Sequence, residues 1–152
     1  MSQWDNIYYQ EPTEEYISPK TTVRVGLVQW QMRSYKTLDD LFEQVEFFVD
    51  SVSGYQSDFV LFPEYFNAPL MARFNDASES QAIRGLARYT DEIRERFINL
   101  AIRYNINIIT GSMPLIKEDG LLYNVGFLCR RDGTYEMYEK LHVPPDEMQC
   151  WG

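Results

Sequence analysis

Two charged residues stand where predicted strands end, at positions that suit acid–base and electrostatic chemistry. Glu64 follows the apolar run Asp58–Phe62, and Lys140 follows the strand pattern Thr134–Glu139. A carboxylate at the mouth of a buried strand is partly desolvated, which raises its pKa toward the range of a general base. A lysine at a strand end can stabilise an oxyanion or a thiolate. Taken alone, each has a plainer interpretation: Glu64 opens a loop, and Lys140 is a solvated surface lysine.

The two cysteines do not have the surroundings of activated nucleophiles. Cys129 lies in the apolar strand pattern Leu121–Cys129, which predicts a small buried hydrophobe. Cys150 lies near Asp146 and Glu147, and nearby negative charge raises the pKa of a thiol and lowers its reactivity. We therefore predict that neither thiol starts a covalent reaction.

Motifs for cofactors and metals are absent from the sequence. It contains no G-x-G-x-x-G, no G-x-x-x-x-G-K-[ST] and no C-x-x-C, so we predict no nucleotide cofactor and no metal site. His142 is the single histidine, and it is interpreted as a structural loop or rim residue.

Composition excludes several further classes of protein. The chain has 152 residues with 14 Lys and Arg against 23 Asp and Glu, a formal charge of −9, which argues against a nucleic-acid partner and a polybasic membrane anchor. No segment resembles a membrane span or a signal peptide, so we predict no membrane partner. Two cysteines form no disulfide framework, and the predicted compartment is the cytoplasm.

The elements that would position these residues begin after an acidic N-terminal extension, predicted over residues 1–22. Val23–Val28 predicts a strand. Thr37 is predicted to cap a helix that ends with Gly54 just past its last turn. Apolar residues recur along this segment at helical spacing: Leu38, Leu41, Phe42, Val45, Val49 and Val52. The segment Asp58–Phe62 is nearly all apolar, which is typical of a strand buried on both faces of a parallel sheet.

The second half of the pattern adds a helix and further strands. A long segment without strands covers residues 63–89, and the part around Gln81–Ala87 is interpreted as helical. A strong helix is predicted from Thr90 or Asp91, and its stripe consists of Ile93, Phe97, Leu100, Ala101 and Tyr104. Ile106–Gly111 predicts a third strand, so the order β-α-β-α-β implies parallel strands. Two Asp-Gly hairpin signals each precede a strand pattern, which predicts added antiparallel strands. Asp119-Gly120 stands before Leu121–Cys129, and Asp132-Gly133 stands before Thr134–Glu139.

These segments together resemble the nitrilase (carbon–nitrogen hydrolase) superfamily. Phe62–Phe66 is similar to its first catalytic motif, and Tyr138–His142 is similar to its lysine motif. Three further segments match the strand sequences of the family, in order and with suitable gaps: Val25–Gln29, Ile108–Ser112 and Leu122–Asn124. The Trp151-Gly152 ending is most similar to the branch whose members sometimes carry an acetyltransferase domain.

The resemblance implies a fold and a reaction. The fold is α/β, the N-terminal half of the nitrilase-type α-β-β-α sandwich. The reaction is amidase-type hydrolysis of a small-molecule amide or nitrile by a Glu-Lys-Cys triad, without a cofactor. Glu64 carries over as the general base and Lys140 as the cation that stabilises the oxyanion. Family members commonly self-associate, so a homo-oligomer is expected of the full-length protein.

The chain departs from the family pattern at the nucleophile. In the family, this cysteine follows a further strand beyond the lysine loop, and residues 23–152 therefore predict an incomplete carbon–nitrogen hydrolase domain that is inactive alone. An incomplete sheet would have exposed faces and an unpaired edge. The alternative is a non-catalytic short form that serves as an interaction or dimerisation module. Phe66, Met71 and Phe74 either line the substrate pocket or pack locally.

Overall fold

The computed structural model describes residues 22–74, 76–142 and 144–145. The predictions for residues 1–21 and for Cys150 lie outside the described residues, and the domain boundary at residue 22 stays a prediction. The strands are β1 Val25–Leu27, β2 Phe59–Leu61, β3 Asn107–Ile109, β4 Met113–Ile116, β5 Leu122–Cys129 and β6 Tyr135–Glu139. The α-helices are α1 Leu38–Gly54, α2 Glu79–Ala87 and α3 Thr90–Arg103, and a 3₁₀ helix spans Ala68–Phe74.

The six strands form one mixed sheet. The order is β1-β2-β3-β5-β4, and β6 pairs with β5 as well. The pairs β1–β2 and β2–β3 are parallel, while β5 pairs antiparallel with β3, β4 and β6. This arrangement confirms the predicted α/β class, with parallel strands first and antiparallel strands added later.

Helix α1 begins where its capping signal predicts. The Thr37 hydroxyl accepts a hydrogen bond from the Asp40 N–H, and the Asp40 carboxylate accepts one from the Thr37 N–H, so both halves of a capping box are present. The predicted position of the C-terminal glycine is wrong by two residues: Gly54 is the last helical residue, Tyr55 is the C-cap, and the position just past the cap is Gln56. The left-handed backbone lies two residues later, at Gln56 with φ of 55°.

The strands are shorter than the apolar runs that predicted them, and one strand was missed. β1, β2 and β3 have three residues each. Their flanking residues make backbone hydrogen bonds outside regular pairing, such as Asp58 N–H to the Arg24 carbonyl at 2.8 Å. β4 contains Pro114, which hides its strand pattern, yet it pairs with β5 over four residues.

The segment between β2 and α3 holds the 3₁₀ helix and α2. Ser78 caps α2 in a second capping box with Gln81, so the helix starts two residues before the predicted segment. Phe66 is fully buried in an aromatic cluster that also contains Trp30, Phe62 and Phe97, with ring centroids 5.5 to 5.8 Å from Phe66. The packing interpretation therefore holds for Phe66, and the pocket interpretation is wrong.

The two faces of the sheet differ. Gly26, Val60, Ile108 and Cys129 lie opposite one another across four strands, and a Cβ on Gly26 would meet Val52 of α1 at 2.4 Å. This is the helix face. Side chains alternate along a strand, so Leu27, Leu61, Ile109 and Leu128 form a row on the opposite, outer face. Leu27 is 73% exposed there. Within the described residues, no helix has the length and apolarity needed to cross a bilayer.

Candidate active site

Glu64 stands two residues beyond Phe62 at the carboxyl end of β2, where ligand sites of open α/β sheets lie. Its carboxylate oxygen Oε1 accepts three hydrogen bonds: from Ser112 Oγ at 2.9 Å, from Asn124 Nδ2 at 2.9 Å and from Lys140 Nζ at 3.0 Å. The structure thus brings together Glu64 and Lys140, the two residues that the sequence analysis selected. It adds Ser112 and Asn124 to them.

A sharp backbone turn before β4 places the Ser112 hydroxyl. Gly111 has φ of +64°, and a Cβ at this position would lie 2.2 Å from the Pro63 carbonyl oxygen. The two backbones therefore approach closely because residue 111 is glycine. The Ser112 carbonyl accepts a hydrogen bond from the Tyr65 N–H at 2.9 Å. This bond holds Tyr65, a non-glycine residue with φ of 56°, in the left-handed region next to Glu64.

Strands β5 and β6 place the other two donors. Asn124 is buried on β5, with 3% exposure, and its backbone carbonyl accepts a hydrogen bond from the Lys140 N–H at 2.9 Å. This bond joins the end of β6 to β5 beside the Asn124 side chain. Val125 and Phe127 of β5 lie on the helix face. Because side chains alternate along a strand, Asn124 lies on the outer face, and the site opens there.

Electrostatics at the site favour the ionised form of Glu64. Burial acts to raise its pKa, but the hydrogen bonds from Lys140, Asn124 and Ser112 and the positive charge of Lys140 together bring it below its ordinary value of 4.5. The sequence-based expectation of a raised pKa is therefore wrong. The Glu64 side chain is 44% exposed, whereas that of Lys140 is 24% exposed. Burial therefore raises the pKa of Glu64 by less than its three donors lower it.

Tyr138 of β6 covers the neighbouring part of the outer face. It lies opposite Gly126, and a Cβ on Gly126 would lie 2.2 Å from the Tyr138 hydroxyl. Burial raises the pKa of the Tyr138 phenol, and the negative charge of Glu64 raises it further. The phenol therefore stays neutral beside the charged pair.

Cys129 is remote from this chemistry. It is fully buried on the helix face, and burial raises the pKa of its thiol to about 12. The prediction of a buried Cys129 is confirmed. Within the residues that the structure describes, no three His, Cys, Asp or Glu side chains form a group able to hold a metal ion.

An open cleft lies along the 3₁₀ helix. Its volume is about 610 Å³, and the 3₁₀ helix contributes Met71 and Phe74 to its lining. Arg33 and Glu79 add one charge of each sign. Neither Glu64 nor Lys140 is among the described lining residues. Two of the three predicted pocket residues thus line a cleft, but that cleft is separate from the charged pair.

In the sequence, Ser112 and Asn124 belong to segments that match strands of the family, and no role was predicted for either residue. The signal that could have found them is their position: Ser112 directly precedes β4, and Asn124 is the polar residue in an otherwise apolar run of β5. A polar side chain buried in an apolar strand needs a partner, and here the partner is Glu64.

Acid is expected to destabilise this chain through Glu64. Because the folded-state pKa lies below 4.5, the unfolded chain binds the proton first, and stability falls as the pH drops from about that value through the folded-state pKa. Denaturant titrations between pH 3 and pH 6 measure the slope. Glu64→Gln is expected to make the slope shallower but not flat, because Asp40, Asp119 and Asp132 also have lowered pKa values and keep a share of it. Glu118→Gln, at an exposed position, is the matched control. An unchanged slope in Glu64→Gln would contradict this assignment.

Comparison with known proteins adds the family. The carbon–nitrogen hydrolase family matches residues 24–150. The probable hydrolase YhcX of Bacillus subtilis (strain 168) is 37% identical over 153 residues, which cover 100% of this chain and 30% of that protein. The chain therefore spans less than a third of the length of this curated relative.

Solved structures share the fold. A carbon–nitrogen hydrolase from Helicobacter pylori G27 matches with a TM-score of 0.69 at 18% identity, over 85% of this chain and 43% of that one. The E41L mutant of an amidase from Nesterenkonia sp. AN1 matches with a TM-score of 0.66 at 19% identity, over 86% and 47%. The sandwich fold that the sequence resemblance implied is thus present in part. Since the family matches 127 consecutive positions, residues 24–150, this chain belongs to the carbon–nitrogen hydrolase family.

Proposed function

We propose that the chain is the N-terminal part of an amidase-type carbon–nitrogen hydrolase in which Glu64 is the general base and Lys140 stabilises the oxyanion. The observation that carries this proposal is the 3.0 Å contact between Lys140 Nζ and Glu64 Oε1, which joins residues 76 positions apart in the sequence. A base and a fixed cation side by side match the needs of acyl transfer from an amide.

The reaction follows from these two groups and a thiol. Glu64 takes the proton of the thiol, and the thiolate attacks the amide carbon. Lys140 stabilises the negative charge that develops on the carbonyl oxygen. Glu64 returns its proton to the departing nitrogen, and ammonia or an amine leaves a thioester. Glu64 then deprotonates a water molecule, which hydrolyses the thioester to the acid and restores the thiol.

The thiol in this proposal comes from outside the 152 residues. Cys129 is unsuitable, because its thiol is buried on the helix face with a pKa of about 12. Glu64 and Lys140 meet on the outer face, so a segment that lies across that face would bring a cysteine to them. Because the pKa of Glu64 lies below its ordinary value, its carboxylate is ionised at neutral pH and can accept the thiol proton, but it is a weaker base than one whose pKa lies near the operating pH.

Residues 1–152 alone are expected to release no ammonia from small aliphatic amides and to form no adduct with fluoroacetamide, as read by intact mass. That reagent is chosen because it modifies the active-site cysteine of the Nesterenkonia amidase mutant. The matched test protein is a chimera in which this chain replaces the corresponding 153-residue region of the Bacillus relative. The chimera is expected to show both ammonia release and an adduct.

Two outcomes would contradict the proposal. Amide turnover by residues 1–152 that is abolished by Cys150→Ser would place the nucleophile within this chain. A folded chimera that hydrolyses no amide, with butyramide among those tested because it is the ligand of a related amidase, would contradict the amidase assignment.

A second candidate, a non-catalytic interaction module that self-associates, is favoured by the exposed edge strand β1. Val25 and Leu27 project from it with 51% and 73% exposure. Light scattering on the same preparation distinguishes the candidates. A stable, cooperatively unfolding dimer that becomes monomeric in Leu27→Glu supports the module, whereas a monomer, or self-association that Leu27→Glu leaves unchanged, supports an enzyme fragment.

A further inference from the structure

We propose that Ser112 and Asn124 are positioning residues that bind oxygen Oε1 of Glu64 and thereby leave Oε2 as the oxygen that exchanges the proton. This inference rests on the proposed function of Glu64 as the general base. It goes further because it gives two uncharged residues a role and names the carboxylate oxygen that exchanges the proton.

The donor geometry distinguishes the two carboxylate oxygens. Ser112, Asn124 and Lys140 all reach Oε1, at 2.9, 2.9 and 3.0 Å. A carboxylate offers about four lone-pair sites over its two oxygens, so three donors saturate Oε1. Within the described part of the chain, no group donates a hydrogen bond to Oε2. A proton that binds Oε1 must displace a donor, whereas a proton that binds Oε2 displaces none.

The orientation of the Asn124 amide follows from the same chemistry. An ionised carboxylate only accepts hydrogen bonds, so the amide must turn Nδ2 toward Glu64. Its Oδ1 is then buried without a partner among the described residues. An unpaired buried oxygen is costly, and this cost is tolerated while Nδ2 binds a charged acceptor.

Both positioning residues also tie the site to the sheet. Ser112 binds Glu64 through its hydroxyl and Tyr65 through its carbonyl, so it holds the backbone and the side chain of the same turn. Asn124 binds Glu64 through Nδ2 and Lys140 through its carbonyl. The half-exposed Glu64 side chain would otherwise be free to take other rotamers, which would move Oε2 away from an incoming thiol.

Carbon-13 NMR of the Glu64 carboxyl during a pH titration tests the proposal in the 152-residue chain. The signal is assigned by its loss in Glu64→Gln. The pKa of Glu64 is expected to rise in Ser112→Ala and in Asn124→Leu, and to rise most in the double variant. Ser112→Thr keeps the hydroxyl and is expected to restore the parental titration. Ser53→Ala, in α1, and Asn107→Leu, on β3, are matched controls that are expected to leave it unchanged.

The oxygen assignment has its own readout, the solvent exchange of the Asn124 side-chain amide protons. A proton on Oε2 leaves the bond from Asn124 Nδ2 intact, so protection is expected to persist below the pKa of Glu64. The reference is Asn107, whose Nδ2 donates to the backbone carbonyl of Asp58 at 3.0 Å rather than to a carboxylate.

Two results would overturn the proposal. One is an unchanged Glu64 titration in Ser112→Ala, a variant small enough to keep the fold. The other is loss of Asn124 protection relative to Asn107 as Glu64 takes its proton. Neither measurement needs turnover, so a failure here is distinct from a failure of the amidase proposal.

Discussion

Glu64→Gln is expected to lower kcat for amide hydrolysis by the chimera by roughly 10²- to 10⁴-fold, the usual contribution of a positioned general base. Glutamine keeps a side-chain oxygen of similar position, whose two lone pairs can accept hydrogen bonds from donors now bound to Oε1, so the site keeps its general shape. Its other atom is an NH₂ group, which cannot take a proton from a thiol or from water. The loss therefore falls on the chemical step.

The design separates loss of the base from loss of the fold. KM is expected to change little, because substrate binding does not need the proton acceptor. Glu118→Gln, which removes an exposed carboxylate away from the site, serves as the matched control and is expected to keep parental kcat. Thermal unfolding checks that each variant is folded. A folded Glu64→Gln chimera with kcat within about threefold of the parent would remove Glu64 from the mechanism.

Signals that lie close together in the sequence predicted the helices well. The capping box of α1 needs only Thr37 and Asp40, and the buried stripe of α3 contains Ile93, Phe97 and Leu100 at helical spacing. These features depend on contacts within one or two turns. All the residues that decide these features lie within a short stretch of sequence.

The charge state of Glu64 could not be predicted in the same way. Its three donors are 48, 60 and 76 positions away in the sequence. The apolar strand before Glu64 indicated burial, which acts to raise the pKa, and nothing local indicated the donors that outweigh it. The same limit applies to β4, since the pairing of Pro114 with Asn124 is a property of the assembled sheet.

Gly111→Ala is expected to lower the free energy of unfolding by roughly 2–5 kcal/mol, a large part of the 5–15 kcal/mol that a typical domain has. Two costs add. The left-handed backbone, with φ of +64°, disfavours any residue with a Cβ by about 1–2 kcal/mol. The new Cβ would also lie 2.2 Å from the Pro63 carbonyl oxygen and 2.8 Å from that of Phe62. These are backbone atoms, so relief requires the end of β2 to move, at a cost typical of overpacking.

Two other glycines separate these costs. Gly120→Ala shares the left-handed backbone, with φ of +78°, but has nothing within 4 Å, so it is expected to lose only the conformational part, about 1–2 kcal/mol. Gly54→Ala also has open space and lies in helix α1, where alanine is favoured over glycine, so a gain of about 0.5–1 kcal/mol is expected. Urea denaturation of the three variants measures the series.

The position of Gly111 makes this variant informative about the site as well. Pro63 precedes Glu64, and Ser112 follows Gly111, so any movement that relieves the clash separates the Ser112 hydroxyl from the carboxylate it binds at 2.9 Å. The remaining folded Gly111→Ala protein is therefore expected to show a raised Glu64 pKa, as in Ser112→Ala. A Gly111→Ala loss no greater than that of Gly120→Ala would mean that β2 and the β3–β4 turn can separate freely. The close approach of these backbones would then not be what holds the site together.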